Sequence, residues 1–351
     1  MNLKQFNPFK ILNHWGVLNE IIKGNNPAPI SCEIDPSNIC NHNCIWCIND
    51  KYRKENMQML SHDLLMRIID EVAAAGVKSI AYTGGGEPLT NPSIVKALYK
   101  TVECGLEAAI VTNGGLLTDE NSEPIIKNCM YIRISLDAGS DDVHTQLHLP
   151  NNKRADEYQR IIKNIERLVH LRKKLGAVIE IGVGFLALPA NYHQIFETVS
   201  LVKSIGVDYI QIRPAYMEGV KLSDKIWHET KEQMEMALNL SDNSFKVFPI
   251  LHRFDEVENI ERGYSKCLGH ALVGVVGANG KMYLCCQLRG YEKYCFGDLH
   301  ENSFEEIWNS EKRKRVIESV RLSDCLPCRY NKYNEILDYL ADFDRPHKNF
   351  L

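Results

Sequence analysis

The sequence is short of several things, and each shortage closes a class of function. No stretch of about 18 apolar residues occurs, which excludes a membrane-spanning helix. The 351 residues carry a net charge of -4 with no long basic stripe, so there is no electrostatic footprint for nucleic acid. The basic runs Arg172-Lys173-Lys174 and Lys312-Arg313-Lys314-Arg315 fall in helical patterns and read as solvated faces. Nothing at the N-terminus reads as a signal peptide. The compartment expected is therefore the cytoplasm, where thiols stay reduced and no disulfide framework forms. A hydrophobic fraction of 44% and a charged fraction of 25% are ordinary, and a chain of this length buries a core without staples.

What the sequence does have is cysteine, twelve in all. Cys40, Cys44 and Cys47 crowd onto one loop. Three thiolates can hold three irons of a cubane cluster and leave the fourth iron open to a non-protein ligand, whereas electron-carrying clusters are normally closed by four cysteines. Zinc with His42 as a fourth ligand competes with that reading, although His42 lies between two ligands rather than at a customary spacing.

Around this loop, helix and strand alternate from residue 61 to 214. Apolar segments at 30–34, 79–83, 107–112, 131–136, 178–187 and 207–213 read as strands, and Gly76, Gly105, Gly176 and Gly206 end the preceding helices. Leu64, Leu65, Ile68, Ile69 and Val72 show the 3.6-residue period of such a helix. Alternation of this kind implies a parallel sheet with right-handed crossovers. Six strands alone fit a barrel or a doubly wound sheet. Ahead of them, residues 8 to 23 read as an amphipathic helix capped by Asn7 and packed across the sheet's strands.

The cysteine loop carries an aromatic, Trp46, before its last cysteine, and Gly84-Gly85-Gly86-Glu87-Pro88 follows the second strand. In that order these elements resemble the radical S-adenosylmethionine (SAM) superfamily. The resemblance implies an α/β fold, an open (β/α)6 partial TIM barrel with its reactive site at the C-terminal ends of the strands. It further implies that SAM chelates the open iron and meets Trp46, Gly85, Gly86, Glu87 and Pro88. Polar contacts to SAM are implied for Thr112, Asn113, Ser135 and Asp137, and flavodoxin or ferredoxin is implied as electron donor. Arg213, closing the sixth strand, either clamps a substrate phosphate or carboxylate or forms a rim salt bridge.

After Pro214 the alternation stops. One more helix spans 225–239, and a boundary falls near 240 to 265. Cys267 precedes a hairpin, 271–276 with 281–286, turned by Asn279-Gly280. Ser303 and Glu306 form a capping box for a helix running through Ile307, Trp308, Val316 and Ile317. Cys267, Cys285, Cys325 and Cys328 suit either zinc or a fully ligated [4Fe-4S] cluster. With Phe296-Gly297-Asp298-Leu299 between them, they resemble the shortened SPASM domain called twitch, and Asn334 stands where a further cysteine is expected. One auxiliary cluster is implied, hence two clusters per chain. The expected division is 1–29, an N-terminal segment; 30–240, the barrel; 241–345, the auxiliary domain; and 346–351, a tail. Of the remaining cysteines, Cys32, Cys104 and Cys129 read as buried hydrophobes, while Cys286 and Cys295 are either hydrogen-atom donors or packing.

The function this resemblance implies is reductive cleavage of SAM to a 5'-deoxyadenosyl radical. That radical would abstract hydrogen from a small hydroxylated substrate, a sugar, aminocyclitol or nucleotide-linked carbohydrate, with the auxiliary cluster accepting an electron, as in aminocyclitol dehydrogenases that share the twitch pattern. The alternatives are a peptide-modifying maturase or epimerase, and a zinc-stapled binding protein without catalysis.

Overall fold

The computed structural model describes residues 6–55, 57–151, 156–216, 222–258, 260, 262–347 and 349–350. Residues 1–5 of the expected N-terminal segment, and 348 and 351 of the expected tail, lie outside them. A 3-10 turn, Pro8–His14, leads into α1 (Trp15–Ile22), and the Asn7 side chain accepts from Phe9 N at 2.9 Å. β1 (Ser31–Ile34) then opens the alternation. After the cysteine loop come α2 (Asp50–Glu55), α3 (His62–Ala74), β2 (Ser79–Tyr82), α4 (Ile94–Glu103), β3 (Glu107–Thr112), α5 (Asp119–Asn128) and β4 (Cys129–Ser135). The sequence continues with α6 (Asp141–His148), α7 (Glu157–Leu175), β5 (Glu180–Ala187), α8 (Ile195–Ile205) and β6 (Tyr209–Pro214).

Each of β1 to β6 pairs in parallel with its neighbour, as strands joined by helical crossovers must. The apolar stripe of α3, from Leu64 to Val72, is buried against the sheet. Gly76, Gly105, Gly176 and Gly206 all take positive φ, between 60° and 94°, where a side chain would be strained.

The open barrel is wider than six strands. α9 (Asp224–Leu238) is followed by β7 (Lys246–Pro249), which pairs in parallel with β6. This four-residue strand ending in proline is too short to show a period. Beyond α10 (Leu251–Glu258), β8 (Val273–Val276) pairs in parallel with β1, from Ser31↔Val273 to Ile34↔Val276. β9 (Lys281–Tyr283) and β10 (Cys295–Asp298) complete one sheet, ordered β10-β9-β8-β1-β2-β3-β4-β5-β6-β7. The β8–β9 turn holds Gly277 N 2.9 Å from Lys281 O, with Gly280 at φ 73°, the left-handed residue of a three-residue hairpin loop.

The single helix expected after Ser303 is two, α11 (Phe304–Trp308) and α12 (Glu311–Glu318), because Ser310 caps the second through Arg313 N at 3.2 Å. The capping box itself is present. Gly297 of β10 is packed so closely on α11 that a Cβ there would lie 2.3 Å from the Ile307 side chain. The chain closes with α13 (Asn331–Ala341). The N-terminal segment spans the sheet: Phe6 meets Tyr209 of β6 and Phe248 of β7 edge-on, while Ile11, Leu18 and Ile21 meet Ala271, Leu272 and Leu337 of the C-terminal part. No helix among the described residues is long and apolar enough to cross a membrane.

Candidate active site

The cysteine loop has little secondary structure of its own, and its shape comes from neighbours. Asn43 N donates to His148 O at 2.9 Å and Ile45 N to Leu147 O at 3.1 Å, tying the loop to the end of α6. Arg53 of α2, 6% exposed, donates to His42 O at 2.8 Å and Asn43 Oδ1 at 2.7 Å. Beneath the loop, His42 Nε2 lies 3.1 Å from Glu157 Oε1, both fully buried. His148 and His144 stack with centroids 4.2 Å apart, and Trp46 meets His148 edge-on at 4.9 Å. Burial drives the pKa of His144 down to about 3 and that of His148 well below the ordinary range, so both rings are neutral.

The opposite flank is the Gly84-Gly85-Gly86-Glu87-Pro88 turn. Gly86 N donates to Ser37 O at 3.1 Å and Glu87 N to Ile39 O at 2.9 Å, so the turn is bonded to the segment that leads into Cys40. A Cβ on Gly86 would stand 2.3 Å from Ile39 O, and one on Gly85 2.6 Å from the Tyr52 ring. The glycines exist for this approach. Pro88 starts a 3-10 turn, Pro88–Thr90. The Glu87 carboxylate, 2% exposed, is fully engaged: Oε1 accepts from Thr112 Oγ1 at 2.7 Å and Leu89 N at 3.1 Å, and Oε2 from Asn113 N at 2.8 Å. Burial raises its pKa, against the pull of those donors. Asn113 in turn donates to Asn41 Oδ1 at 2.8 Å.

A cavity of about 290 Å³ opens above these groups. Cys40, Cys44, Cys47, Trp46, Gly85, Gly86, Glu87, Thr112, Asn113, Ser135, Asp137 and Arg213 all line it, so nearly every expected SAM contact converges there. Asp137 sits at φ 54°, accepts from Leu186 N at 2.6 Å, and is pushed by burial to a pKa of about 7. Cys286 lines the same cavity, whereas Cys295 is buried in β10 beside a separate surface hollow.

The donors fit a thiophilic metal centre. Burial, then the charge of Glu87, raises the Cys40 thiol to about 11. Cys44 is held well above the ordinary value by burial and then by Cys40 and Cys47. Thiols that oppose one another's ionisation are a set that a cation would deprotonate together. His42 N also points at Cys40 Sγ from 3.4 Å, a bond that favours a thiolate. Three sulfurs leave one iron of a cubane for a non-protein ligand. His42, Cys44 and His148 also bring ligand atoms within 4.8 Å of one another, a donor set of the zinc type.

Cys267, Cys285, Cys325 and Cys328 share a second, largely apolar cavity. Burial and then Cys267 raise Cys328 to about 12, and Tyr330 N donates to its sulfur at 3.3 Å. Asn334, 1% exposed, accepts from Leu268 N at 2.7 Å and Gly269 N at 2.6 Å, fixing the turn after Cys267. Adjacent residues thus face different spaces, Cys285 this cavity and Cys286 the central one. The Cys286 thiol lies below the ordinary range, first through the hydrogen bond with Cys285 and then through Arg329, 3.5 Å away.

The sequence reading missed the group that joins the two centres. Glu33 of β1 contacts Arg329 at 2.9 Å and Arg289 at 3.5 Å, and Asp35 contacts Arg289 at 3.1 Å. It also missed Arg133 and Arg253, which line the central cavity with Arg213.

Comparison with known proteins gives two family matches. Residues 34–199 match the model of the Radical SAM superfamily, and residues 267–330 that of the SPASM iron-sulfur cluster-binding domain. The chain is 27% identical to the AdoMet-dependent heme synthase of Methanosarcina barkeri, over 91% of this chain and 95% of that one. It is 24% identical to the dTDP-4-amino-4,6-dideoxy-D-glucose ammonia-lyase of Streptomyces venezuelae, over 65% of this chain and 48% of that one. Among solved structures, Streptococcus suis SuiB bound to S-adenosylmethionine superposes with a TM-score of 0.66 at 18% identity, covering 90% of this chain and 72% of that one. The fold, with its open sheet, is therefore shared.

Proposed function

Because the chain belongs to the radical SAM superfamily and carries a C-terminal SPASM iron-sulfur domain, we propose that it uses SAM to oxidise a small hydroxylated molecule held in the central cavity. The observation that carries this reading is the lining of that cavity: Cys40, Cys44 and Cys47 on one side, and on another Cys286, next in sequence to Cys285 of the second cysteine set. In this reading Cys40, Cys44 and Cys47 hold one [4Fe-4S] cluster, and Cys267, Cys285, Cys325 and Cys328 hold a second. When bound, these cofactors supply an electron to cleave SAM, a 5'-deoxyadenosyl radical that takes a hydrogen atom, and an acceptor for the electron given up as a hydroxyl becomes a carbonyl.

The chain's own residues do the rest. Glu87 fixes the end of β3, so Thr112 and Asn113 present a rigid edge to SAM. Trp46 packs on His148 and excludes water from the loop. The Glu33, Arg289, Asp35 and Arg329 ion pairs hold the loops after Cys286 and Cys328 against β1, which sets the spacing of the two cysteine sets. The names of the heme synthase and of the dideoxy-sugar ammonia-lyase support a small-molecule substrate.

Anaerobic reconstitution tests the reading. About eight irons per chain are expected, with about half retained after C325A with C328A. The C40A, C44A and C47A triple variant should form no 5'-deoxyadenosine. Zinc in place of iron at either set, or 5'-deoxyadenosine from the triple variant, would overturn the proposal.

A further inference from the structure

We propose that Arg133, Arg213 and Arg253 form the binding site for a substrate oxyanion, a phosphate or a polycarboxylate carrying more than one negative charge. The inference rests on the preceding reading only in taking the central cavity as the substrate's place. All three side chains line that cavity, from β4, the end of β6 and α10. Six arginines and three carboxylates share the lining, and the other arginines are spoken for. Arg53 pairs with Asp50, Arg289 with Asp35 and Glu33, and Arg329 with Glu33.

The remaining three have no such partner among the described residues. Arg133 donates to the neutral Gln211 Oε1 at 3.1 Å, and Arg253 to the backbone carbonyl of Arg329 at 3.5 Å. Arg133 Nε, Arg213 Nε and the hydroxyl of neighbouring Tyr216 are buried with no hydrogen-bond partner. The three side chains are half-buried, so a guanidinium without a counter-charge there is only partly solvated, and guanidinium geometry matches carboxylate and phosphate oxygens bidentately. Burial, and then the charges of Arg133 and Arg253, lower the pKa of Arg213 to about 9. The nearby carboxyl of Asp137 is engaged elsewhere, by Leu186 N at 2.6 Å and by His148 Nε2 at 3.5 Å, and forms no ion pair with the three. An arriving oxyanion would remove this repulsion. Of the hydroxylated substrates considered above, only a nucleotide-linked carbohydrate carries a phosphate, so a stronger phosphate arm in the test below narrows the class to it.

The test is calorimetric titration of the reconstituted full chain, with SAM present, using inorganic phosphate in one arm and propane-1,2,3-tricarboxylate in the other. One or both should bind once per chain, with Kd raised about tenfold or more in R213M and in R253M. The stronger arm identifies the source of the oxyanion. Because an unpaired charge is removed, the ligand-free variants should melt no lower than wild type, whereas arginines that merely brace the fold would show a fall. Failure of both probes to bind, affinity unchanged in the variants, or a rise in SAM Kd without a change for the probes would overturn the proposal. Wild-type protein that binds a probe but cannot cleave SAM would sink the preceding reading and leave this one standing.

Discussion

Replacing Glu87 is the sharpest test of how the end of β3 is held at the central cavity. In E87A, three donors lose their acceptor: Thr112 Oγ1, Asn113 N and Leu89 N. Thr112 and Asn113 are 2% and 9% exposed, so water does not replace the carboxylate freely. Each buried donor left unpaired costs roughly 1 to 3 kcal/mol. Relief from burying a carboxylate offsets part of that, leaving a loss of about 3 to 5 kcal/mol, a large share of a typical total stability of about 5 to 15 kcal/mol. E87Q keeps one accepting oxygen and sheds the charge, so it should lose about 1 to 2 kcal/mol. Urea denaturation of the metal-free protein measures the stability terms, and titration with SAM after reconstitution measures the binding consequence. Both variants should bind SAM more weakly, E87A more than E87Q, because the β3 end is no longer held. Should E87A unfold at the wild-type urea concentration while SAM affinity alone collapses, Glu87 acts by touching SAM directly and the bracing argument is wrong.

Asp137 has its folded-state pKa raised from 3.8 to about 7, so the neutral form is favoured in the fold. Its contribution is fully present below pH 4 and lost as pH rises towards 7, a difference on the order of 4 kcal/mol. D137N, which suits the positive φ, should therefore gain on wild type between pH 4 and 7, and parallel stability profiles would refute the shift. N334A strips the acceptor from Leu268 N and Gly269 N and should lower stability by about 2 to 4 kcal/mol. Iron should then be lost from the C-terminal set first; a variant with unchanged iron content and melting temperature would show that this turn is held otherwise.

The elements that local chemistry specifies were legible in the sequence. Helix-ending glycines marked the strand starts, and the spacing of Cys40, Cys44 and Cys47 marked the loop that the structure brings to the strand ends. Alternation in β4 also held a signal that was not used: Ile132 and Ile134 are buried, while Arg133 and Ser135 face the cavity between them. Arg253, Arg289 and Arg329 offered no local pattern, since they reach the site only through chain folding far from the barrel motifs. Glu87 reads in the sequence as a ligand contact and not as a brace, because the partners it holds on β3 lie about 25 residues away.

The pairing of β8 with β1 has a consequence for synthesis of the chain. Val273 meets Ser31, so the hydrogen-bonding edge of β1 waits for about 240 further residues before it is covered. Throughout that interval the nascent protein carries an open strand edge immediately ahead of its cysteine loop, and such edges recruit other chains. Truncation before Val273 would leave a sticky fragment rather than a free-standing barrel.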